Sequence, residues 1–591
     1  MRLMLAAALL ATTAAATTAA ATPALAGPQE DYEALTARYW QWQLEQWPTL
    51  ASSVGVKDYD DRLADMSLEA YDAQVRESES FLARLKAIPD AGLTPKARVN
   101  KMILVRDLET GIEGAEYGQR LMNFTNRSGW HQSLAGLANN LSFRTAQDYD
   151  NYLKRLAAYP AQNEQAIAVA DQAVEGGYVL PCTVLDGYAG SISGVIGDDV
   201  TTSRLYGPFA GEKPEFVEAG EWAALKARAA ALIDGEVRAA YDRQLSWFEK
   251  DYLPNCSEAV GVSAQPGGSA SYAYRARLMT TTDLTPDEIH DIGLSEVARI
   301  RAEMVEVATQ AGFDTREAFI ADLRTNPVYY ARTPEELMQY VARETKKIDA
   351  LMPTLFTVLP RLPYGIAEIP AEIAEGTTTA YYNPGSPQNG IAGLYYVNTS
   401  KLDQRPLWEV PALTVHEGVP GHHHQIALAQ EIDQPEWRRN LFFTAFVEGW
   451  GLYSERLGIE MGLYDTPAKE MGRLSYEMWR ATRLVVDTGL HSKGWSKEQA
   501  IAYMLDNTAL TEANIEAEVN RYISWPGQAL AYKIGELKIR ELRKLGEETL
   551  GEDFDLRRFH DVVLGSGAVP LDVLETNVKA WIAAELEAQA S

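Results

Sequence analysis

Apolar residues recur at helical spacing along most of the chain. Between Asp31 and Gln46, the side chains of Tyr32, Leu35, Tyr39 and Leu44 fall on one face, which predicts an amphipathic helix. Met66 to Leu85, Pro95 to Gly114 and Ala146 to Val174 carry the same pattern, and another helix is predicted from Thr333 to Leu351. Thr285-Pro286-Asp287-Glu288 is a helix start, with an N-cap hydroxyl, Pro at the first position and Glu at the third. The helix it opens is predicted to end near Gln310. Strand signals are sparse. Gly393-Leu394-Tyr395-Tyr396-Val397-Asn398 is short, aromatic and β-branched and follows a loop rich in Gly, Pro, Asn and Ser; Gly376 to Tyr382 is a second candidate. After Trp408 the helical pattern returns almost to the end.

These elements predict a mainly α protein, one large helical body with a small β-sheet. No repeat and no interdomain linker interrupts residues 27–591, so a single unit is expected, with a helical part over 27–330 and the chemistry in 331–591. The first 26 residues read as a signal peptide: Arg2, an apolar stretch from Leu3 to Leu10, an Ala/Thr run, and Ala24-Leu25-Ala26 as the cleavage site. Threonines interrupt the run and no stretch of about 18 apolar residues occurs, so no membrane insertion of the mature chain is expected. No cysteine follows the cleavage site, which argues against a lipid anchor. The expected location is periplasmic or secreted.

Export changes the reading of the cysteines. Cys182 and Cys256 are the only two, and in an exported chain they suggest a disulfide whose long loop would stabilise by about 4 kcal/mol. The net charge of −28 argues against nucleic acid and anionic membranes as partners. A strongly acidic substrate would need a local basic pocket to overcome that field.

Four of the eight histidines lie in His416-Glu417-Gly418-Val419-Pro420-Gly421-His422-His423-His424. Such a cluster next to a glutamate points to a metal. In the zincin helix, H-E-x-x-H, two histidines four residues apart share a face and the glutamate is the general base. Here the fourth residue after His416 is Pro420. On a regular helix His422 would point about 240° away from His416, and His423 would share its face but lie about 10 Å along the axis. The helix cannot be regular: Pro420 removes a donor and Gly421 tolerates unusual backbone angles. A bulge absorbing two residues would bring His422 into place, and spacing alone leaves His423 open. A hydrolytic zinc site takes three protein ligands and a water. Glu448, among apolar helical neighbours in Phe446 to Glu455, is the candidate third ligand, because a buried carboxylate needs compensation. An ion pair with Arg480 or Arg483 is the competing explanation, and Glu455 is either a rival ligand or the partner that orients a histidine.

The chain resembles the bacterial family called domain of unknown function 885, grouped with gluzincin-type metallopeptidases. The family pattern H-E-x-x-P-G-H-x-x-Q is matched by His416, Glu417, Pro420, Gly421, His422 and Gln425, and this match selects His422 over His423. E-G-W-x-x-Y-x-E is matched by Glu448, Gly449, Trp450, Tyr453 and Glu455. Thr280 to Pro286, Tyr381-Tyr382-x-Pro384 and Arg521-Tyr522-x-x-Trp525-Pro526-Gly527-Gln528-Ala529 extend the similarity over nearly the whole mature chain. The resemblance implies a zincin-like body with a deep cleft that admits short or unfolded peptides.

Together these readings predict an exported zinc peptidase. His416, His422 and Glu448 would hold Zn²⁺ and Glu417 would be the general base. The strand carrying Tyr395 and Tyr396 would pair with an extended peptide as an edge strand. By analogy with helical peptidyl-dipeptidases, Tyr532 would stabilise the oxyanion and Arg521 would bind a substrate carboxylate. His491 would either line the cleft or cap a helix C-terminus; His131, His290 and His560 are expected to be structural, and His423 and His424 to pack or hydrogen-bond locally. The rival functions are a catalytically silent metal- or peptide-binding protein and a zinc hydrolase of a non-peptide amide or ester. A serine hydrolase is disfavoured, since no G-x-S-x-G follows a strand.

Overall fold

The computed structural model describes residues 27–370, 374 and 377–589. The expected signal peptide and Gly376 lie outside the described residues. The fold is mainly α, 69% helical with one small sheet.

In the first half the predicted helices form as α1 (Pro28–Gln46), α2 (Leu68–Ala87), α3 (Pro95–Glu116), α4 (Ala146–Gly176) and α5 (Pro286–Gln310). Their starts follow from capping chemistry: Ser67, Thr94, Thr145 and Thr285 each accept a hydrogen bond from the amide three residues on. Thr145 with Asp148 and Thr285 with Glu288 complete reciprocal capping boxes. Cys182 and Cys256 form a disulfide.

The second half opens with α6 (Pro334–Leu355) and then the sheet, β1 (Tyr364–Glu368), β2 (Ala380–Asn383) and β3 (Gly393–Val397). The order is β1-β3-β2, with β1 parallel and β2 antiparallel to β3. β3 is therefore central, with both backbone edges already paired. The expectation that this strand would receive a peptide as an edge strand is corrected: the free edges belong to β1 and β2. Along β3 the buried residues alternate, Gly393, Tyr395 and Val397 facing inward.

The helices of this half that bear on the site are α7 (Val410–Glu417), α8 (His422–Glu431), α9 (Thr444–Leu457), α10 (Pro467–His491), α11 (Glu512–Ser524) and α12 (Ala531–Leu550). Every residue of α7 is buried, as is nearly all of α10, so these two are interior helices. One apolar cluster joins Ile103, Tyr272 and Ile289 to Val415, Trp450 and Ile534. Hydrophobic packing thus crosses residue 330. A buried ionic knot crosses it as well: Lys533 of α12 is 2.9 Å from each of Glu296, Glu477 and Glu536, on α5, α10 and α12.

α9 and α12 meet backbone to backbone. A methyl added at Gly535 would lie 1.9 Å from the Ala445 carbonyl oxygen, and one at Gly449 would lie 2.5 Å from the Gly535 Cα. Neither obstacle is a flexible side chain, so the two helices would have to separate. Gly535→Ala is expected to destabilise by about 1–3 kcal/mol, the usual cost of overpacking. A thermal melt of the purified variant checks this; an unchanged midpoint would show that the helices part without cost.

Candidate metal centre

α7 ends at Glu417 and α8 begins at His422, so the histidine motif spans two helices. The expected bulge within one helix is corrected to a break of four residues, Gly418 to Gly421. Gly421 is required there: a methyl on it would lie 2.0 Å from the His416 carbonyl oxygen and 2.3 Å from that of Val415. The Trp450 indole, from α9, donates to the Pro420 carbonyl across 2.7 Å and fixes the connection. His422 thereby starts a new helix whose direction is independent of α7, and its ring comes within 4.7 Å of the His416 ring, nearly perpendicular.

α9 supplies the rest. One ligand atom each from His416, His422 and Glu448 lies within 4.8 Å of the other two. Glu448 Oε2 is 3.8 Å from His416 Nε2 and 3.4 Å from His422 Nε2. Gly451 lies on the same face of α9 and seats the first histidine, since a methyl there would come 2.8 Å from the His416 ring. One further turn along, Glu455 is 2.8 Å from His416 Nδ1, leaving Nε2 free to face Glu448. Arg480 holds Glu455 from behind at 3.3 Å, and Arg483 pairs with Glu518 at 2.9 Å. Neither arginine neutralises Glu448.

The electrostatics of the triad call for a cation. Burial alone would push the His416 imidazole down, but Glu448 and Glu455 more than offset it and raise its pKa to about 9. Burial likewise opposes ionisation of Glu448, and His416 and His422 overcome it, holding the carboxyl well below the usual range. Glu448 Oε2 is buried without a hydrogen-bond donor. Two imidazoles and an orphaned carboxylate oxygen within 4.8 Å of one another are the donor set of a hydrolytic zinc site. The residues fit that ion.

A family profile described as "Bacterial protein of unknown function (DUF885)" matches residues 48–578. The chain belongs to this family. No curated protein matches it. A solved structure described as a "putative lipoprotein from Colwellia psychrerythraea" is similar to it with a TM-score of 0.88 and 29% identity, covering 95% of this chain and 100% of that one. A second, "a putative lipoprotein of unknown function from Shewanella oneidensis", has a TM-score of 0.69 at 19% identity over 93% and 99% of the two chains, and shows the shared fold. Among the described residues no helix is long and apolar enough to cross a membrane.

Other residues singled out in this DUF885 member fall into two groups. Glu417, the last residue of α7, is buried beside the triad and makes no hydrogen bond to another described residue. Tyr395 lies on the inner face of β3, wholly buried. Burial raises its pKa, the neighbouring Thr414 hydroxyl partly offsets this, and the Glu417 charge adds to the rise. Tyr532, in the first turn of α12, is raised chiefly by burial and then by Glu448, and the Arg483 guanidinium sits 4.4 Å from its ring centre. Arg521 pairs with Glu518 at 2.8 Å and also reaches Gln528.

The second group is committed elsewhere. His491 accepts from the Val262 amide at 3.1 Å and donates to the Tyr522 carbonyl at 3.0 Å, so its expected place lining a cleft is corrected to that of an internal pin at the end of α10. Tyr396 stacks on Tyr381 with ring centres 4.9 Å apart. His423 accepts from the Tyr382 hydroxyl at 2.9 Å and donates to the Leu362 carbonyl at 3.1 Å, which leaves it no atom for the triad. His131, His290 and His560 all bond to groups outside the triad.

Sequence reasoning missed the arginine group around Glu518. Arg127 at 3.9 Å joins Arg483 and Arg521 on this one carboxylate, and Arg483 Nη1 is buried without a partner. The Arg521-Tyr522 motif was a signal for it; the distant Arg127 and Arg483 gave none. Glu455→Gln is expected to weaken metal affinity by about 10- to 100-fold, the usual cost of losing a carboxylate behind a ligating imidazole. Competition with a chelator measures it, and an unchanged affinity would remove Glu455 from that role.

Proposed function

We propose that this protein is an exported zinc-dependent peptidase of the gluzincin type, acting on short or unfolded peptides. The observation that carries the reading is the convergence of His416, His422 and Glu448 with Glu417 unbonded beside them. A site that only stored metal would have no use for that free carboxylate. The lipoprotein descriptions of the two similar structures support export.

Zinc held by the triad would polarise the scissile carbonyl and lower the pKa of a water towards neutrality. Glu417 takes the proton released as the water oxygen bonds to the carbonyl carbon, and delivers it to the amine nitrogen as the carbon–nitrogen bond breaks. Tyr532, kept protonated by its raised pKa, donates to the oxyanion. Arg483 and Arg521 adjoin Tyr532 and share one carboxylate with Arg127. That surplus of positive charge favours a peptide's terminal carboxylate as the anchoring group.

Residues 27–591, purified without an affinity tag, should hold about one zinc per chain. Glu417→Gln should keep that zinc while kcat falls by about 10²-fold or more. No zinc after incubation with excess metal would end the reading. Near-wild-type turnover by the variant would remove Glu417 as base. Zinc without hydrolysis of any peptide would favour a silent binding protein, and preferential turnover of simple esters would favour a non-peptide hydrolase.

C-terminal amidation of a good substrate tests the anchor separately. It should lower kcat/KM by about 10- to 100-fold, the worth of one hydrogen bond to a charged group. An equal rate for acid and amide would leave the arginines a structural role.

A further inference from the structure

α1, α2 and α3, with the turn after α3, line an open cavity of about 350 Å³, none of whose lining residues belongs to the metal centre. Its wall is aromatic: Tyr39, Trp42, Trp47 and Tyr71 all line it. Tyr39 and Trp42 have ring centres 5.9 Å apart, and Trp47 meets Trp42 edge-on at 5.8 Å. Into this wall the chain sets Asp107, which makes no hydrogen bond and no ion pair with any described residue. Burial alone pushes its carboxyl up to about 6, with no cation near enough to pull it back. Among the described residues that line the wall the cation is Arg120, and it is engaged by Asp72.

Asn123 also lines the cavity, but its amide hydrogen goes to the Ala166 carbonyl at 2.9 Å and its Oδ1 is sealed from solvent, which leaves Asp107 as the acceptor a ligand can reach. A carboxylate without a partner on an aromatic-lined wall favours a ligand that brings both a donor and positive charge. An anion is repelled and a neutral molecule leaves the Asp107 charge uncompensated. A quaternary ammonium has no hydrogen to give Asp107. A primary ammonium has three N–H donors and a charge that aromatic faces attract.

From this complementarity we infer that the cavity lined by Asp107, Asn123, Tyr39, Trp42 and Trp47 is a binding site for a small organic molecule that carries a primary ammonium on an apolar body. The site is independent of the metal centre and of any reading of its chemistry. Asp107 pairs with the ammonium, and the apolar body lies against the tryptophans.

The test titrates the intact mature chain at pH 7.5 with 2-phenylethylamine and with its neutral analogue 2-phenylethanol. Calorimetry gives the affinity, and tryptophan fluorescence reports on Trp42 and Trp47. The amine should bind at least about tenfold more tightly than the alcohol, as expected for one hydrogen bond to a charged group. Asp107→Asn should erase that difference while leaving the alcohol and the melting temperature unchanged. An amine that binds no better than the alcohol to the wild-type chain overturns the inference, as does failure of the amine to bind. So does an Asp107→Asn variant that binds the amine as before. The wild-type comparison decides the matter even if the variant does not fold.

Discussion

Burying a carboxylate among apolar helices is unfavourable unless a positive group meets it, and Glu448 is such a carboxylate. Among the described residues its near partners are two imidazoles, which are neutral unless they take up protons. The arrangement around it follows from that demand. Glu455 turns the His416 ring so that Nε2 faces Glu448, and Arg480 holds Glu455 in turn. The ionic chain from Arg480 to the triad is thus directional: each charge fixes the orientation of the next. A divalent cation at its end would satisfy Glu448 without protonating either histidine.

Orientation alone would not suffice, because the three members of the triad come from three helices that must approach more closely than ordinary side chains allow. Glycine makes that approach possible at each contact. Gly421 lets the chain turn back over the end of α7, Gly451 makes room for the His416 ring, and the Gly449–Gly535 pair brings α9 against α12. The last contact also sets Tyr532 beside Glu448. Four consecutive residues of α9 therefore act differently. Glu448 is the proposed ligand, Gly449 the helix contact, Trp450 the anchor of the α7–α8 break, and Gly451 the seat for the histidine.

Much of this was legible in the chain. Helix starts were marked by local chemistry, a hydroxyl cap and a glutamate three residues on, and those signals need no knowledge of neighbours. The clustered histidines and Glu448 carried their chemistry in residue type. What stayed hidden depends on contacts between distant segments. β1 has a glycine at its second position and no clean alternation, so nothing revealed that it would pair with β3 and make that strand central. Periodicity assigns a face to a helix but not what lies against it, and so His491 resembled a cleft residue while its two nitrogens were committed to backbone groups. The six-residue histidine spacing suggested a distorted helix because a break and a bulge leave the same trace in sequence.

The charge of the whole molecule bears on how a substrate would arrive. At −28 the protein repels anions at long range, and a peptide with a free carboxyl terminus is disfavoured until it reaches a region of opposite sign. Arg127, Arg483 and Arg521 around Glu518 form such a region beside Tyr532. Arg127 also lines a cavity of about 450 Å³ together with Arg324 and Arg405. At physiological salt, fields between exposed charges fade within about 8 Å, whereas buried charges are screened much less. A local surplus of guanidinium groups therefore outweighs the distant acidic surface once a ligand is inside. On the proposed reading, the acidic net charge and the arginine group around Glu518 make one filter: a terminal carboxylate gains little at long range and gains its attraction only where Tyr532 and the triad would act on the bond behind it.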